Sequence, residues 1–205
     1  GLRVFACFAA GFFMSYSLRA VNAVIAPELV AQFQLDSAQL GAMSAAYFFS
    51  FALMQLPLGV WLDRYGARRT DATLLLVAAI GCATFASAHT ASVLWVGRAL
   101  IGAGVSGALM SALKGYRFWY SPQRQQPLTA WMLVVGTSGA LVATVPVQAL
   151  MPLVGWRGVF WIAAAMLVAS AAAIWFLVPR DEEGGAREQP SLVAVLSGYV
   201  EVFAD

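Results

Sequence analysis

Long, nearly uncharged apolar stretches dominate this 205-residue chain. Hydrophobic residues make up 61% of the sequence and charged residues only 11%, whereas soluble domains average about 25% charged residues. About 20 consecutive apolar residues form a helix that crosses a bilayer, and hydropathy predicts six such spans. They are residues 3–26 (span 1), 38–62 (span 2), 72–88 (span 3), 92–116 (span 4), 127–150 (span 5) and 157–178 (span 6). The apolar runs are continuous rather than alternating, so the sequence predicts an all-α membrane protein rather than a barrel.

Basic residues gather in the connections on one side of the predicted bundle. That side has Arg64, Arg68, Arg69, Lys114, Arg117, Arg124, Arg180 and Arg187, and the other side has Arg157 with Glu28, Asp36 and His89. The positive-inside rule places the basic side in the cytoplasm, and an even number of spans places both chain ends there. The net charge of +2 is too small to suggest a nucleic-acid partner.

The composition changes after Pro179. Residues 180–205 begin with a charged, solvated linker, and apolar residues then recur at helical spacing over 191–203. This pattern predicts a short amphipathic surface helix on the cytoplasmic side. The start of a seventh span is the alternative.

The connection between spans 2 and 3 has the most specific pattern in the chain. It reads Gly59-x-x-x-Asp63-Arg64-x-Gly66-x-Arg68-Arg69. A positive-inside signal explains the arginines, but it explains neither Asp63 nor the two glycines. Glycine permits a sharp turn or a close backbone approach.

This pattern resembles the loop between helices 2 and 3 of major facilitator superfamily transporters. Span 4 is similar to the fourth helix of that family, in which a buried arginine precedes glycines, here Arg98, Gly102 and Gly104. The Gly155-Trp156-Arg157 turn before span 6 is a further similarity.

The resemblance implies that residues 1–179 form the N-terminal six-helix bundle of a twelve-helix fold, a 3+3 inverted repeat. Residues 180–205 would then lead to an absent C-terminal half. It also implies that Gly59, Asp63, Arg64, Gly66, Arg68 and Arg69 form a conformational latch against that half during alternating access. The expected location is the bacterial inner (plasma) membrane.

Buried ionisable groups are the best candidates for substrate binding. Arg19 lies about 7 Å beyond the midpoint of predicted span 1, at 1.5 Å per residue, and shares a helix face with Tyr16 and Asn22. No acidic residue lies within one helical turn of it. A guanidinium can bind both oxygens of a carboxylate, so we predict that Arg19 binds an anionic substrate. The alternative is that Arg19 extends its charge to the membrane surface or joins two helices.

Further candidates for the substrate site are Tyr47, Met54 and Gln55 in span 2 and Lys114 in span 4. The resemblance gives Arg98 a structural or proton-coupling role. No Asp or Glu lies deep within a predicted span, since Asp63 and Asp71 stand at the inner edge. A coupling carboxylate is therefore not visible, although a coupling proton or Na⁺ stays open.

These observations predict a secondary or facilitative transporter of a small organic anion. Two alternatives remain: a proton-coupled exporter of hydrophobic or cationic compounds, and a non-transporting receptor on the same fold. No cofactor or catalytic constellation is expected, because the chain has one histidine, no metal-ligand spacing and no phosphate-binding loop.

Overall fold

The computed structural model describes residues 2–179, and the secondary structure there is helical. The helices are α1 (Leu2–Phe33), α2 (Ser37–Ala86), α3 (Ala91–Val105), α4 (Ala108–Trp119), α5 (Pro122–Val142) and α6 (Val145–Leu177). By length and composition, α1, α2, the stretch Ala91–Trp119 and α6 could each cross a membrane. The all-α membrane architecture is confirmed, whereas the predicted linker and surface helix of residues 180–205 lie outside the described residues.

The chain reverses direction at Gly66, inside α2. Gly66 has φ 76° and ψ 167°, which is not helical backbone. Before Gly66, α2 runs parallel to Ala91–Trp119; the contacting pairs are Tyr47–Gly102, Gln55–Ser106 and Leu62–Lys114. After Gly66 it runs antiparallel to the same stretch; the pairs are Ala78–Gly104, Gly81–Ile101 and Phe85–Gly97. Helix α2 therefore contains two spans.

A second reversal occurs at Gly155, inside α6, where φ is 66° and ψ is 172°. Before Gly155 the chain runs parallel to α1; the pairs are Phe12–Gly136 and Ser17–Gly139. After Gly155 it runs antiparallel to α1; the pairs are Gln32–Trp156 and Cys7–Ala173. The first ten residues of α6 therefore extend α5.

The two reversals yield six spans, as predicted. The observed bounds are Leu2–Phe33 for span 1, 37–65 for span 2, 67–86 for span 3, Ala91–Trp119 for span 4, 122–154 for span 5 and 156–177 for span 6. We call the end that holds Gly66 the arginine-rich end and the end that holds Gly155 the opposite end.

Several predicted boundaries were wrong. Span 3 was predicted to begin at residue 72, but its helix begins at residue 67, directly after the reversal at Gly66. Span 1 was predicted to end before Pro27, but α1 continues to Phe33 with Pro27 inside it. Proline removes one backbone donor, and tertiary packing outweighs that loss here, because Leu29 beyond the proline is fully buried. Span 5 was predicted to begin at residue 127, but α5 begins at Pro122, and proline is well suited to the first turn of a helix.

Span 4 packs closely against spans 2 and 3 through small residues. A Cβ at Gly102 would overlap the Tyr47 carbonyl oxygen, and a Cβ at Gly104 would overlap the Ala78 backbone. Small residues allow such close backbone contact between membrane helices, where van der Waals packing drives association. Span 2 is covered less well, since Phe49 is 71% exposed and Leu53 is 55% exposed.

The reversal at Gly155 generates a stability prediction. Its backbone lies in a region that only glycine adopts readily, and other residues cost about 1–3 kcal/mol there. We expect Gly155→Ala to lower the thermal unfolding temperature of the detergent-purified protein by several degrees. Gly41→Ala is the matched control, because a Cβ at Gly41 meets nothing within 4 Å. Equal unfolding temperatures for both variants would contradict the conclusion that the reversal requires glycine at position 155.

Candidate functional site

Arg19 lies close to the middle of span 1. Because α1 extends to Phe33, Arg19 is only about 2 Å past the helix midpoint at 1.5 Å per residue, rather than in the outer half as the shorter predicted span implied. Its side chain is partly buried. A cation at this depth requires a compensating environment.

Aromatic rings provide that environment. The Arg19 Cζ atom lies 5.1 Å from the ring centroid of Tyr16, 5.3 Å from that of Phe51 and 5.9 Å from that of Phe48. These are cation–π distances. The buried Nε has no hydrogen-bond partner, and among residues 2–179 no carboxylate forms an ion pair with this guanidinium. At least one donor of Arg19 is thus unused.

Tyr47 of span 2 completes this group of rings. It is 2% exposed, its ring stacks on Phe51 at a centroid distance of 6.4 Å, and its hydroxyl has no hydrogen-bond partner. That hydroxyl lies near the Arg19 guanidinium and interacts with it, although without well-formed hydrogen-bond geometry. The close contact at Gly102 brings span 4 against the Tyr47 backbone and holds this part of span 2 in place.

The other predicted substrate residues of spans 1 and 2 have different surroundings. Asn22 donates to the Ser44 hydroxyl at 3.0 Å and accepts from Arg98 at 2.6 Å, so its amide joins helices. Gln55 donates to the Ser106 carbonyl at 3.3 Å, where the helix of span 4 is interrupted. Met54 is half-buried and packs against the hydrophobic core.

Arg98 is fully buried between spans 1, 3 and 6. Its guanidinium donates to the Leu18 carbonyl at 3.0 Å and to Asn22, and it lies 4.9 Å from the Phe85 ring centroid and 5.4 Å from that of Phe160. Arg98 therefore binds the backbone immediately before Arg19. Sequence reasoning identified both arginines but missed this link, because helical spacing does not reveal which residues meet between helices.

The central level of the described bundle is consequently positive. Arg19 and Arg98 lie there, whereas the carboxylates of the described residues lie toward the ends of the spans: Glu28, Asp36, Asp63 and Asp71. The one salt bridge found within residues 2–179 joins Asp63 to Lys114. Within the described residues, an anion can thus approach Arg19 without a carboxylate at the same level of the bundle.

Lys114 lies at the arginine-rich end instead of beside Arg19. Its ammonium donates to Asp63 Oδ1 and to the Leu62 carbonyl, each at 2.6 Å. Twelve residues separate Lys114 from Gly102, which contacts Tyr47, so the two levels are about 18 Å apart along the helix. The residues predicted to bind substrate therefore do not all lie together. Lys114 lies beside the charged connection between spans 2 and 3, away from Arg19 and Tyr47.

The charged connection is only partly internal to the bundle. The side chain of Asp63 is 81% exposed even though it pairs with Lys114. The Arg64 guanidinium lies 5.4 Å from the Tyr65 ring centroid and that of Arg68 lies 5.3 Å from the Trp175 centroid, so neither pairs with Asp63. A Cβ at Gly59 would meet nothing within 4 Å.

Fold and composition define an integral membrane protein built as a six-span helical bundle. The family model described as Major Facilitator Superfamily matches residues 7–205. The chain belongs to that superfamily. Its bundle is similar to the xylose transporter XylE of Escherichia coli in the inward open conformation, with a TM-score of 0.73, 16% identity, and coverage of 98% of this chain and 53% of that one.

Sequence relatives include transporters of named anions. The chain is 28% identical over 176 residues to the hexuronate transporter of Escherichia coli K12, covering 84% of this chain and 40% of the relative. It is 26% identical over 186 residues to a probable L-galactonate transporter of the same strain, covering 90% and 38%. It is 27% identical over 159 residues to a probable sulfoacetate transporter of Cupriavidus necator, covering 76% and 36%. The chain thus spans about two fifths of the length of these relatives.

The contacts of Arg98 generate a prediction. Arg98→Met removes two hydrogen bonds from a charged donor, and such bonds contribute about 1.5–3 kcal/mol each. We expect a lower thermal unfolding temperature, and a smaller additional loss when Asn22→Ala is combined with it, because both residues share one bond. Arg117→Met is the control on the exposed face of α4. Additive losses would contradict the bond between Arg98 and Asn22.

Proposed function

We propose that this chain is the N-terminal half of a secondary or facilitative transporter that moves a small organic anion, a carboxylate, by alternating access. Arg19 carries the proposal. Its guanidinium is held near the middle of span 1 by aromatic rings and by no carboxylate of the described residues, and its buried Nε is unbonded. Two oxygens of a carboxylate fit such a donor set.

The relatives support the same substrate class. They are named as transporters of hexuronate, L-galactonate and sulfoacetate, all of which are organic anions. The positive central level of this bundle suits an anion and is unfavourable for a cationic substrate. In this proposal Arg19 binds the carboxylate, Tyr47 donates its hydroxyl, and the ring of Tyr16 contacts the apolar part of the substrate.

The charged connection acts as the latch in this proposal. Asp63 and the arginines beside it face a C-terminal six-helix half, and Gly59 leaves room for a helix of that half. The exposed carboxylate of Asp63 and the open space at Gly59 support this role. In this proposal the protein lies in a bacterial inner membrane, with this end, the N-terminus and residues 180–205 on the cytoplasmic side; the distribution of basic residues supports that orientation.

Liposome transport by the full-length protein tests the substrate site. Labelled glucuronate should enter, whereas glucose, its neutral analogue, should neither enter nor compete. Arg19→Ala should raise the half-saturating glucuronate concentration by about tenfold or more, because a charge-assisted hydrogen bond contributes about 1.5–3 kcal/mol and 1.4 kcal/mol is tenfold. Arg19→Lys should show an intermediate effect, since lysine lacks the fork of two donors.

The exposed Arg117→Ala serves as the matched control and should leave transport unchanged. Wild-type kinetics in Arg19→Ala would refute the anchor. Tight glucuronate binding without any flux would refute transport in favour of a receptor. If other labelled anions enter while glucuronate does not, the same variants should be compared with the anion that enters.

Lys114 separates the latch from the substrate site. We expect Lys114→Met to alter the transport rate, because it removes the partner of Asp63, while the half-saturating substrate concentration stays within about twofold of wild type, since Lys114 lies about 18 Å from Tyr47 along the helix. A large loss of substrate affinity with an unchanged maximal rate would contradict this prediction and would indicate that Lys114 binds substrate.

A further inference from the structure

Asp71 is a carboxylic acid near the arginine-rich end of span 3, which the sequence had placed at the inner edge. Because the helix of span 3 begins directly after Gly66, Asp71 lies within the span, and its exposure is 0%. It lies five residues beyond the Gly66 reversal, about 8 Å along the helix axis. It is also beyond the first three positions of that helix, where backbone N–H groups are free to bind a carboxylate.

Three spans enclose the carboxyl group. Contacts between Gly104 and Ala78 and between Gly107 and Leu74 fix the register of spans 3 and 4, and the same register places Ser111 opposite Asp71. Span 1 closes the third side, since a Cβ at Gly11 would lie 3.9 Å from Asp71 Oδ2. Ser111 is also 0% exposed.

Neither polar group has a hydrogen-bond partner with acceptable geometry. Both carboxyl oxygens of Asp71 and the Ser111 hydroxyl are buried and have no well-formed hydrogen bond, although the hydroxyl lies close enough to the carboxyl group to approach one. A hydroxyl can donate to an ionised carboxylate and accept from a protonated one. Ser111 therefore suits both protonation states of Asp71.

The charged and titratable groups around Asp71 are engaged elsewhere. On its own helix, the Arg68 guanidinium lies over the Trp175 ring of span 6; its buried Nε is unbonded, and it forms no ion pair with Asp71. On span 4, Lys114 lies one turn from Ser111 and binds Asp63. On span 1, the Cys7 thiol lies one turn from Gly11 and donates to the Ala173 carbonyl at 3.7 Å. An ionised Asp71 would thus be buried without a counter-charge, which strongly favours its protonated form.

We propose that Asp71 and Ser111 form a proton-binding site that takes up and releases the proton accompanying the transported anion. This inference rests on the proposed function. One Asp71 oxygen binds the proton, and the Ser111 hydroxyl accepts the resulting hydrogen bond. When Asp63 leaves Lys114 for the other half of the protein, the ammonium group one turn from Ser111 becomes able to stabilise the ionised carboxylate, and the proton passes to water at the arginine-rich end.

A proton fits this site better than Na⁺ does. Sodium needs several oxygen ligands, whereas the side chains here offer two carboxyl oxygens and one hydroxyl, and the surrounding backbone carbonyls belong to helices. The glycine at position 11 leaves space for close helix contact, with Leu75 Cδ1 3.1 Å from its would-be Cβ. The experiment below distinguishes the two ions, because a sodium site would make accumulation depend on Na⁺.

The first test uses the full-length protein in liposomes with labelled glucuronate, and Glu28→Gln as the exposed carboxylate control. With no membrane potential and a gradient of about one pH unit, one coupled proton supports about tenfold accumulation of a monovalent anion. Wild type and the control should accumulate the label, while Asp71→Asn should still exchange it but lose accumulation. The proposal would be overturned by any of three results. These are accumulation of the label by Asp71→Asn, accumulation that does not depend on the pH gradient, and accumulation that requires Na⁺.

The second test does not depend on transport. Infrared spectroscopy of wild type at neutral pH should show the carbonyl band of a protonated carboxylic acid. The band should be absent in Asp71→Asn and shifted in Ser111→Ala, which loses the hydroxyl partner. Identical spectra for wild type and Asp71→Asn would overturn the site even if glucuronate transport succeeds. If no anion is transported but the band is lost in Asp71→Asn, the proposed function fails while the proton site stands.

Discussion

The close contact of span 4 with its neighbours determines how the polar groups of this bundle meet. Gly102 lies against the backbone of Tyr47 and Gly104 against that of Ala78, so a side chain at either position would force the helices apart. Close packing fixes the register between helices, since protein interiors accommodate even small volume changes poorly. That register brings Arg98 to span 1 and Ser111 to Asp71.

Three of the buried or half-buried charged side chains differ in how far their charge is compensated. Arg98 has two oxygen acceptors and two aromatic rings, so it stabilises the contact between helices. Arg19 has rings alone, and Asp71 has only an unbonded hydroxyl nearby. Uncompensated polar groups in a low-dielectric interior are costly, and therefore mark the places where a ligand or a proton can contribute most. The proposed anion and proton sites follow from this difference.

Much of the architecture could be predicted from the sequence, because hydropathy over about 20 residues identifies a span without knowledge of its partners. The six spans and the Gly66 and Gly155 turns are examples. Placement of single side chains was less successful. Lys114 was grouped with the residues around Arg19, but it binds Asp63 at the arginine-rich end. Asp71 was placed at the inner edge of span 3 without any sign that three spans enclose it. A helical repeat of 3.6 residues tells which residues share a face, not which helix that face contacts.

The sequence alone therefore determined the number of spans, the basic side of the bundle, the family resemblance and the presence of a cation in span 1. Each of these depends on local composition or on spacing within one segment. Only the tertiary structure decided that aromatic rings surround Arg19, that Arg98 and Asn22 join two helices, and that Asp71 faces Ser111. The reason is physical: those relationships depend on the register between helices far apart in the chain, which is set by close contacts at glycine.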